Sequence, residues 1–330
     1  MTRIEKQTLR ALHRPGWRGT WFVLGFGTLF YALVGLTVYC LAEALYWPAA
    51  ALVLVNTYLS HSLVIAFHEA AHGSLCPWRP LNEYLGRVIG LQAFISLSLY
   101  RELHHWHHAH LGTPRDEEFW PFTDPANAKW KRRLAAIGEL FFGVLYTPLL
   151  YFRAYIRTGS RIQIPVYRRV MIWAEVLAPF LVWGGVTAVT IYYEVFTYYL
   201  ISYLAPAFLA GNVQSWRKYI EHVGLTGDSW ATLTRAIRPP TTAGHVVSES
   251  LLHEPYHDLH HRYPKIPYEN LPHAAAVDPP TDGVPLFPSY RAALWDLLKA
   301  LPDPKFGPAW KLRIEPQMNT ENTDKTEIMI

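Results

Sequence analysis

The stretch from Tyr100 to Glu118, YRELHHWHHAHLGTPRDEE, decides how this chain reads. Five histidines (His104, His105, His107, His108 and His110) fall within seven consecutive positions, and neutral imidazole is the commonest protein ligand for a transition metal. On a helix, His104, His107 and His108 stand at i, i+3 and i+4, so three imidazoles leave one face and can converge on an ion. Two other segments carry related spacings. His68 and His72 in HEAAH are one turn apart, and His257, His260 and His261 in HDLHH repeat the i, i+3, i+4 pattern. The expectation is a metal centre assembled from three separate pieces of chain.

Composition says where such a centre sits. Of 330 residues, 51% are hydrophobic, 15% aromatic and only 17% charged, against about 25% charged in soluble domains. That deficit points to a membrane protein, and the long apolar runs described next make the expected fold class an all-α integral membrane protein with four transmembrane helices plus interfacial helices. Cys40 and Cys76 stand alone without CxxC spacing, which excludes a disulfide framework and a thiolate zinc site. Any metal is therefore held by nitrogen and oxygen. The net charge of +4 lies where cytoplasmic flanks belong, which favours membrane orientation over nucleic-acid binding.

In chain order, residues 1–20 form a basic leader (Arg3, Lys6, Arg10, Arg14 and Arg18 against Glu5), read as amphipathic and lying at the lipid headgroups. The first apolar run starts only after it and is too long for a signal-peptide core, so no cleavable leader is expected. Four spans are expected at about 21–42, 49–67, 170–193 and 196–211, each uncharged enough to cross a hydrocarbon core of about 30 Å, apart from Glu175 in the third. They lie within one membrane-bound domain, 21–280, followed by a cytosolic segment, 281–330, whose tail has a disordered composition. Two apolar stretches stay ambiguous. Residues 85–100 are too short to span and read as interfacial or re-entrant, while 134–152 are interrupted by Glu139, Gly143 and Pro148. For the three histidine boxes to meet, an even number of crossings must separate them, so neither ambiguous stretch is expected to cross. The first turn, between the spans, has no Lys or Arg. By the positive-inside rule both termini and the metal site are expected in the cytoplasm.

A single histidine such as His13, His61 or His273 is ordinarily a hydrogen-bonded core or surface residue. The boxes differ because they repeat ligand spacing next to membrane spans, where polar residues are costly and functional. Zinc would use only three or four ligands and leave half of these histidines idle. Eight or nine nitrogens suit two six-coordinate ions, each with an open position, and iron fits best, because a membrane-embedded site implies an inert hydrocarbon that needs dioxygen chemistry.

The series HEAAHGS, HHWHHAHLGTPRDEE and PYHDLHHRYPKIPYENLP resembles the membrane-bound fatty acid desaturase and hydroxylase superfamily, whose three histidine boxes hold a non-haem di-iron centre. The closing string, Tyr256 to Pro272, is similar to the third box of desaturases, and the resemblance covers about residues 20–280. It implies that His68, His72, His104, His107, His108, His257, His260 and His261 are metal ligands. It also implies a ninth ligand ahead of the third box, here His222 in KYIEHVGL, a string similar to NYxEHYG of membrane alkane hydroxylases. Lys218 stands where both those hydroxylases and the animal acyl-CoA desaturases have asparagine, which puts an asparagine-bound water in doubt. Glu69, His105, His110, Asp116, Glu118, Glu221, His253 and Asp258, with His245, are the candidates for orienting the ligand rings.

The reaction expected from the resemblance is oxygen-dependent desaturation of a fatty acyl chain, with hydroxylation of an alkyl or acyl chain as the rival outcome of the same centre. A histidine-lined transporter or metal store would need ionisable residues along the spans, which are nearly bare of them. The expected partners are a fatty acyl lipid, the bilayer and a separate electron donor (ferredoxin, rubredoxin or small cytochrome with its reductase). The donor is expected to dock near Lys129 to Arg133 or Arg153 to Arg169. Phe67, Trp183 and Tyr203 are candidates for lining an acyl channel. HRPG at His13 to Gly16 lacks the flanking domain of a haem protein and reads as coincidence.

Overall fold

The computed structural model describes residues 3–158, 164–280 and 283–311. Its regular structure is almost entirely helical: α1 (Arg3–Ala11), α2 (Arg18–Ala42), α3 (Tyr46–His72), α4 (Arg79–Ala93), α5 (Leu97–His110), α6 (Lys129–Thr158), α7 (Val166–Tyr192), α8 (Phe196–Tyr199), α9 (Ala205–His222), α10 (Thr242–Ser250), α11 (His257–Arg262), α12 (Leu271–Val277) and α13 (Tyr290–Ala300). Among the described residues, the strands are a two-residue parallel pair, Ala236–Ile237 against Leu286–Phe287.

Four helices are long and apolar enough to cross a membrane: α2, α3, α6 through Arg157, and α7. Three coincide with expected spans, while the fourth contains the 134–152 stretch that the reading of the sequence kept from crossing. The expected span 196–211 is not a single helix. It begins with α8, passes through a π turn at Leu200–Leu204 and continues in α9 to His222.

The contacts of α6 explain why it differs from its neighbours. A straight helix of its length would run about 45 Å, but Phe142 leaves helical geometry (φ −134°, ψ 34°) and Pro148 follows. Arg132 donates to the Pro304 carbonyl, Gly143 and its neighbour Val144 press on Gly211 of α9, and Tyr151 and Arg153 reach Glu118 and Glu117. Gly211 is eleven residues before His222, about 16 Å along a helix. Thus α6 rises beside α9, bends, and returns to the layer it left. A β-carbon on Gly143 would lie 2.6 Å from the Gly211 carbonyl oxygen, so the bend needs glycine there.

Local signals set the helix ends that carry the histidines. HEAAHGS ends α3 through Gly73 at φ 75°, with Gly73 N–H donating to Ala70 O and Ser74 N–H to Glu69 O, the Schellman pattern. Ser96 caps α5 by accepting from Leu99 N–H. Glu175 of α7, the lone acid expected inside a span, binds Ser96 and Ser98 at that same helix start and Arg87 of α4, where negative charge is favoured. The leader expected at the headgroups packs on the protein: Leu9 of α1 is buried with Tyr256, Leu259, Ile266 and Leu271. The PYENLP string ties the ends together, because Tyr268 N–H donates to Glu69 Oε2, Asn270 Nδ2 to Leu12 O, and Gly16 N–H to Glu269.

Candidate metal centre

Nine histidines converge in two groups. The first joins His68 and His72 from the end of α3, His104 and His108 from α5, and His260 from α11, with donor atoms within 4.8 Å of one another. The second joins His107, His222 and His261, and His222 also groups with His257 and Glu221. These are the nine residues that the spacing and the resemblance named. Helix periodicity splits α5 between the groups, His104 and His108 going to one and His107 to the other.

The donor chemistry fits metal ions. His222 Nδ1 lies 3.0 Å from the Leu233 carbonyl, which only accepts, so a neutral His222 carries its proton there and turns a lone pair outward at Nε2. That Nε2 lies 2.8 Å from Nε2 of His257, which is 3.1 Å from Nε2 of His261. His104 is arranged alike: Nδ1 is 3.1 Å from Glu118 Oε2, and Nε2 is 2.9 Å from His68 Nε2 and 3.1 Å from His108 Nε2. Lone pairs facing one another repel unless a cation stands between them. His72 Nε2 is also buried without a hydrogen-bond partner.

The electrostatics keep most of these rings neutral, as ligation requires. Burial, reinforced by neighbouring imidazoles, holds His108, His260 and His261 well below the ordinary histidine value. His104 is lowered by burial even though Glu118 pulls the other way. For His107, burial also opposes charge, but Asp116 at 2.9 Å outweighs it and raises the value.

Of the expected orienting residues, Asp116 meets Nδ1 of His107 and Glu118 meets Nδ1 of His104. Glu221 Oε2 lies 3.7 Å from His257 Nε2. Glu69 is 3.7 Å from His68 and is held by Ser74 and Tyr268. His105 is exposed at the rim, its ring 5.6 Å from His72. The others lie elsewhere: His110 packs at a tilt against Trp106, His253 bonds Ser248 and Glu249, Asp258 pairs with Arg238, and His245 is exposed. Their closeness to the boxes in sequence does not carry into space, because each leaves its helix or turn on another side.

Two central residues escaped the reading of the sequence. Glu254 places Oε1 3.1 Å from His257 Nδ1 and Oε2 3.6 Å from His68 Nδ1, one histidine from each group. Arg217, buried, pairs with both Glu254 and Glu221. Glu254 stands three residues before His257, a spacing that a search for acids one turn from each box would have caught. Arg217 gives no such signal. Lys218 is buried beside it, its Nζ directed to Glu139 of α6, which also accepts from the Tyr219 hydroxyl at 2.9 Å.

Next to the histidines lies a small pocket lined by Phe67, Phe119, Ile95 and Tyr151 among others. Ile95 and Tyr151 also wall a much larger apolar cavity of about 880 Å³ between α6, α7 and the α8–α9 run, reaching Tyr203 and Phe208. Of the aromatics expected along a channel, Phe67 lines the first and Tyr203 the second. Trp183 instead donates its indole N–H to Leu91 O and packs on Tyr203 in a separate cavity.

No curated protein matches the chain at the significance required. The family model described as "Fatty acid desaturase" matches residues 44–293, which hold all nine converging histidines, so this membrane protein with histidine clusters able to bind metal belongs to the fatty acid desaturase family.

Proposed function

We propose that the chain is an oxygen-dependent fatty acyl desaturase with two iron ions held by the nine histidines. The observation that carries this reading is the apolar cavity that shares Ile95 and Tyr151 with the histidine pocket. Leu145, Leu149 and Phe180 line it and are also largely exposed on the helix exteriors, so an alkyl chain can enter from surrounding hydrocarbon. Bound iron, reduced by an external donor, would supply the dioxygen chemistry that removes hydrogen from unactivated C–H bonds.

The protein's own share is positioning and exclusion of water. Glu118, Asp116 and the Leu233 carbonyl occupy Nδ1 of His104, His107 and His222, fixing ring orientation. Phe67 and Phe119, both buried, close the pocket sides, and Ile95 with Tyr151 forms the neck past which a chain carbon must lie. Desaturation is favoured because Tyr256 to Pro272 follows the desaturase form of the third box. Hydroxylation is the second reading, favoured by KYIEHVGL at 218–225. The basic flanks support a cytoplasmic position for the site and both termini.

Expression in a host of defined fatty acid profile, wild type beside His108→Ala, tests the proposal by mass spectrometry of lipid extracts. A wild-type product lacking two hydrogens supports desaturation, and one carrying an added oxygen replaces it with hydroxylation. No new lipid under aerobic, donor-supplied conditions would overturn both.

A further inference from the structure

The two histidine groups are unequal: one gathers five imidazoles, the other four (His107, His222, His257 and His261). We infer that Glu221 is the fifth donor of the second group, binding metal through Oε2. This rests on the di-metal reading above and goes beyond the role of ring orientation.

Glu221 belongs by geometry to a donor set with His222 and His257, and all three are buried. Its Oε2 stands 3.7 Å from His257 Nε2, too long for a hydrogen bond. Donors held about 2.1 Å from one ion lie about 3 Å apart when adjacent and about 4 Å apart when opposite, and 3.7 Å falls between these. The other oxygen, Oε1, is held at 2.5 Å by Arg217 Nη1. The guanidinium thus fixes one carboxylate oxygen and leaves the second toward the histidines.

Position 218 cannot supply this donor. Its side chain is a lysine, a cation without a lone pair when charged, and Nζ is directed to Glu139 and to the Glu118 carbonyl. Among the described residues, Glu221 is the acid that shares a donor set with histidines of this group, whereas Asp116 and Glu254 face the Nδ1 side of His107 and His257. With Glu221 bound, each ion has five protein donors and keeps one position open, an arrangement suited to six-coordinate iron.

The test compares iron-57-loaded wild type, Glu221→Gln and Glu221→Asp in detergent, by iron content, Mössbauer spectroscopy and X-ray absorption. The expected wild type has two inequivalent irons, one with an oxygen donor from the protein. Glu221→Gln should alter one of two Mössbauer signals, weaken that site about 10–100-fold and lose the oxygen scatterer, while the other signal stays. Glu221→Asp, which keeps the anion, should recover part of the affinity and the oxygen scatterer. Thermal unfolding of the metal-free proteins checks that all three fold. Unchanged signals in Glu221→Gln, or equal change in both, would overturn the assignment while leaving the di-iron reading standing. Wild type that binds no iron would remove both.

Discussion

His222 and His257, thirty-five residues apart in the chain, bring their Nε2 atoms within 2.8 Å. Because the Leu233 carbonyl takes the Nδ1 proton of His222, the contact is one that a shared cation satisfies. His222→Ala should therefore empty the second group first. Iron content should fall from about two to about one per chain, with desaturation lost. Elemental assay of purified protein beside lipid analysis checks this, and retention of both irons would exclude His222 as a ligand.

Glu254 touches one histidine of each group and shares Arg217 with Glu221. Glu254→Gln should weaken iron binding about 10–100-fold at both positions through misdirected rings. It also leaves a buried guanidinium half-paired, at a cost of about 3 kcal/mol. Iron titration and thermal unfolding of the metal-free protein measure the two effects. A normal melting temperature would mean that Glu221 alone neutralises Arg217.

Ile95 stands at the neck between the histidine pocket and the apolar cavity. Ile95→Trp should block passage of a chain, abolishing product while both irons remain. Product formation at the wild-type rate would place the substrate path elsewhere.

Acid should act with a predictable sign. His108, His260 and His261 sit well below the ordinary histidine value, so the unfolded chain takes up protons on them before the folded one does. The contribution of these three groups to the stability of the metal-free protein should fall as pH drops from about 6.5 toward their folded values. His107, raised by Asp116, works in the opposite sense, against these three together with His104 and His222, which burial also lowers. Iron should be released over the same acidic window. Melting temperatures and iron retention across about pH 5 to 8 read both, and a melting temperature that rises on acidification would contradict the assignment.

Of the basic residues proposed to receive an electron donor, not all are free to do so. Arg132 is buried against Asp303 and Pro304, and Arg153 is committed to Glu117 and the Trp120 ring, whereas Lys129 and Lys131 are exposed. Reversing charge at Lys129 and Lys131 should raise the apparent KM for the donor several-fold, and more at low salt. An unchanged KM would move docking to another face.

The ligand groups were legible because helical spacing alone brings His104 and His108, or His68 and His72, to one face. Asp116 and Glu118 were legible from the acidic run closing the second box. Hydropathy failed at α9: polar residues after Gly211 suggested the end of a span, yet the helix continues to His222 because Lys218 finds Glu139 and Arg217 finds two glutamates. Buried ion pairs between distant segments leave no mark in a hydropathy profile. The composite of α8, π turn and α9 was hidden for the same reason, since its geometry depends on what α6 places beside it.

The bend of α6 also has evolutionary reach. One wall of the greasy chamber, from Val144 to Phe152, belongs to a segment that departs from and rejoins a single layer and contributes no metal ligand. On the proposed reading, Leu145, Leu149 and Phe152 line the chamber but not the histidine pocket, so they can swell or shrink without touching an imidazole, and the segment would act as an adjustable ruler for which carbon stops opposite the metals.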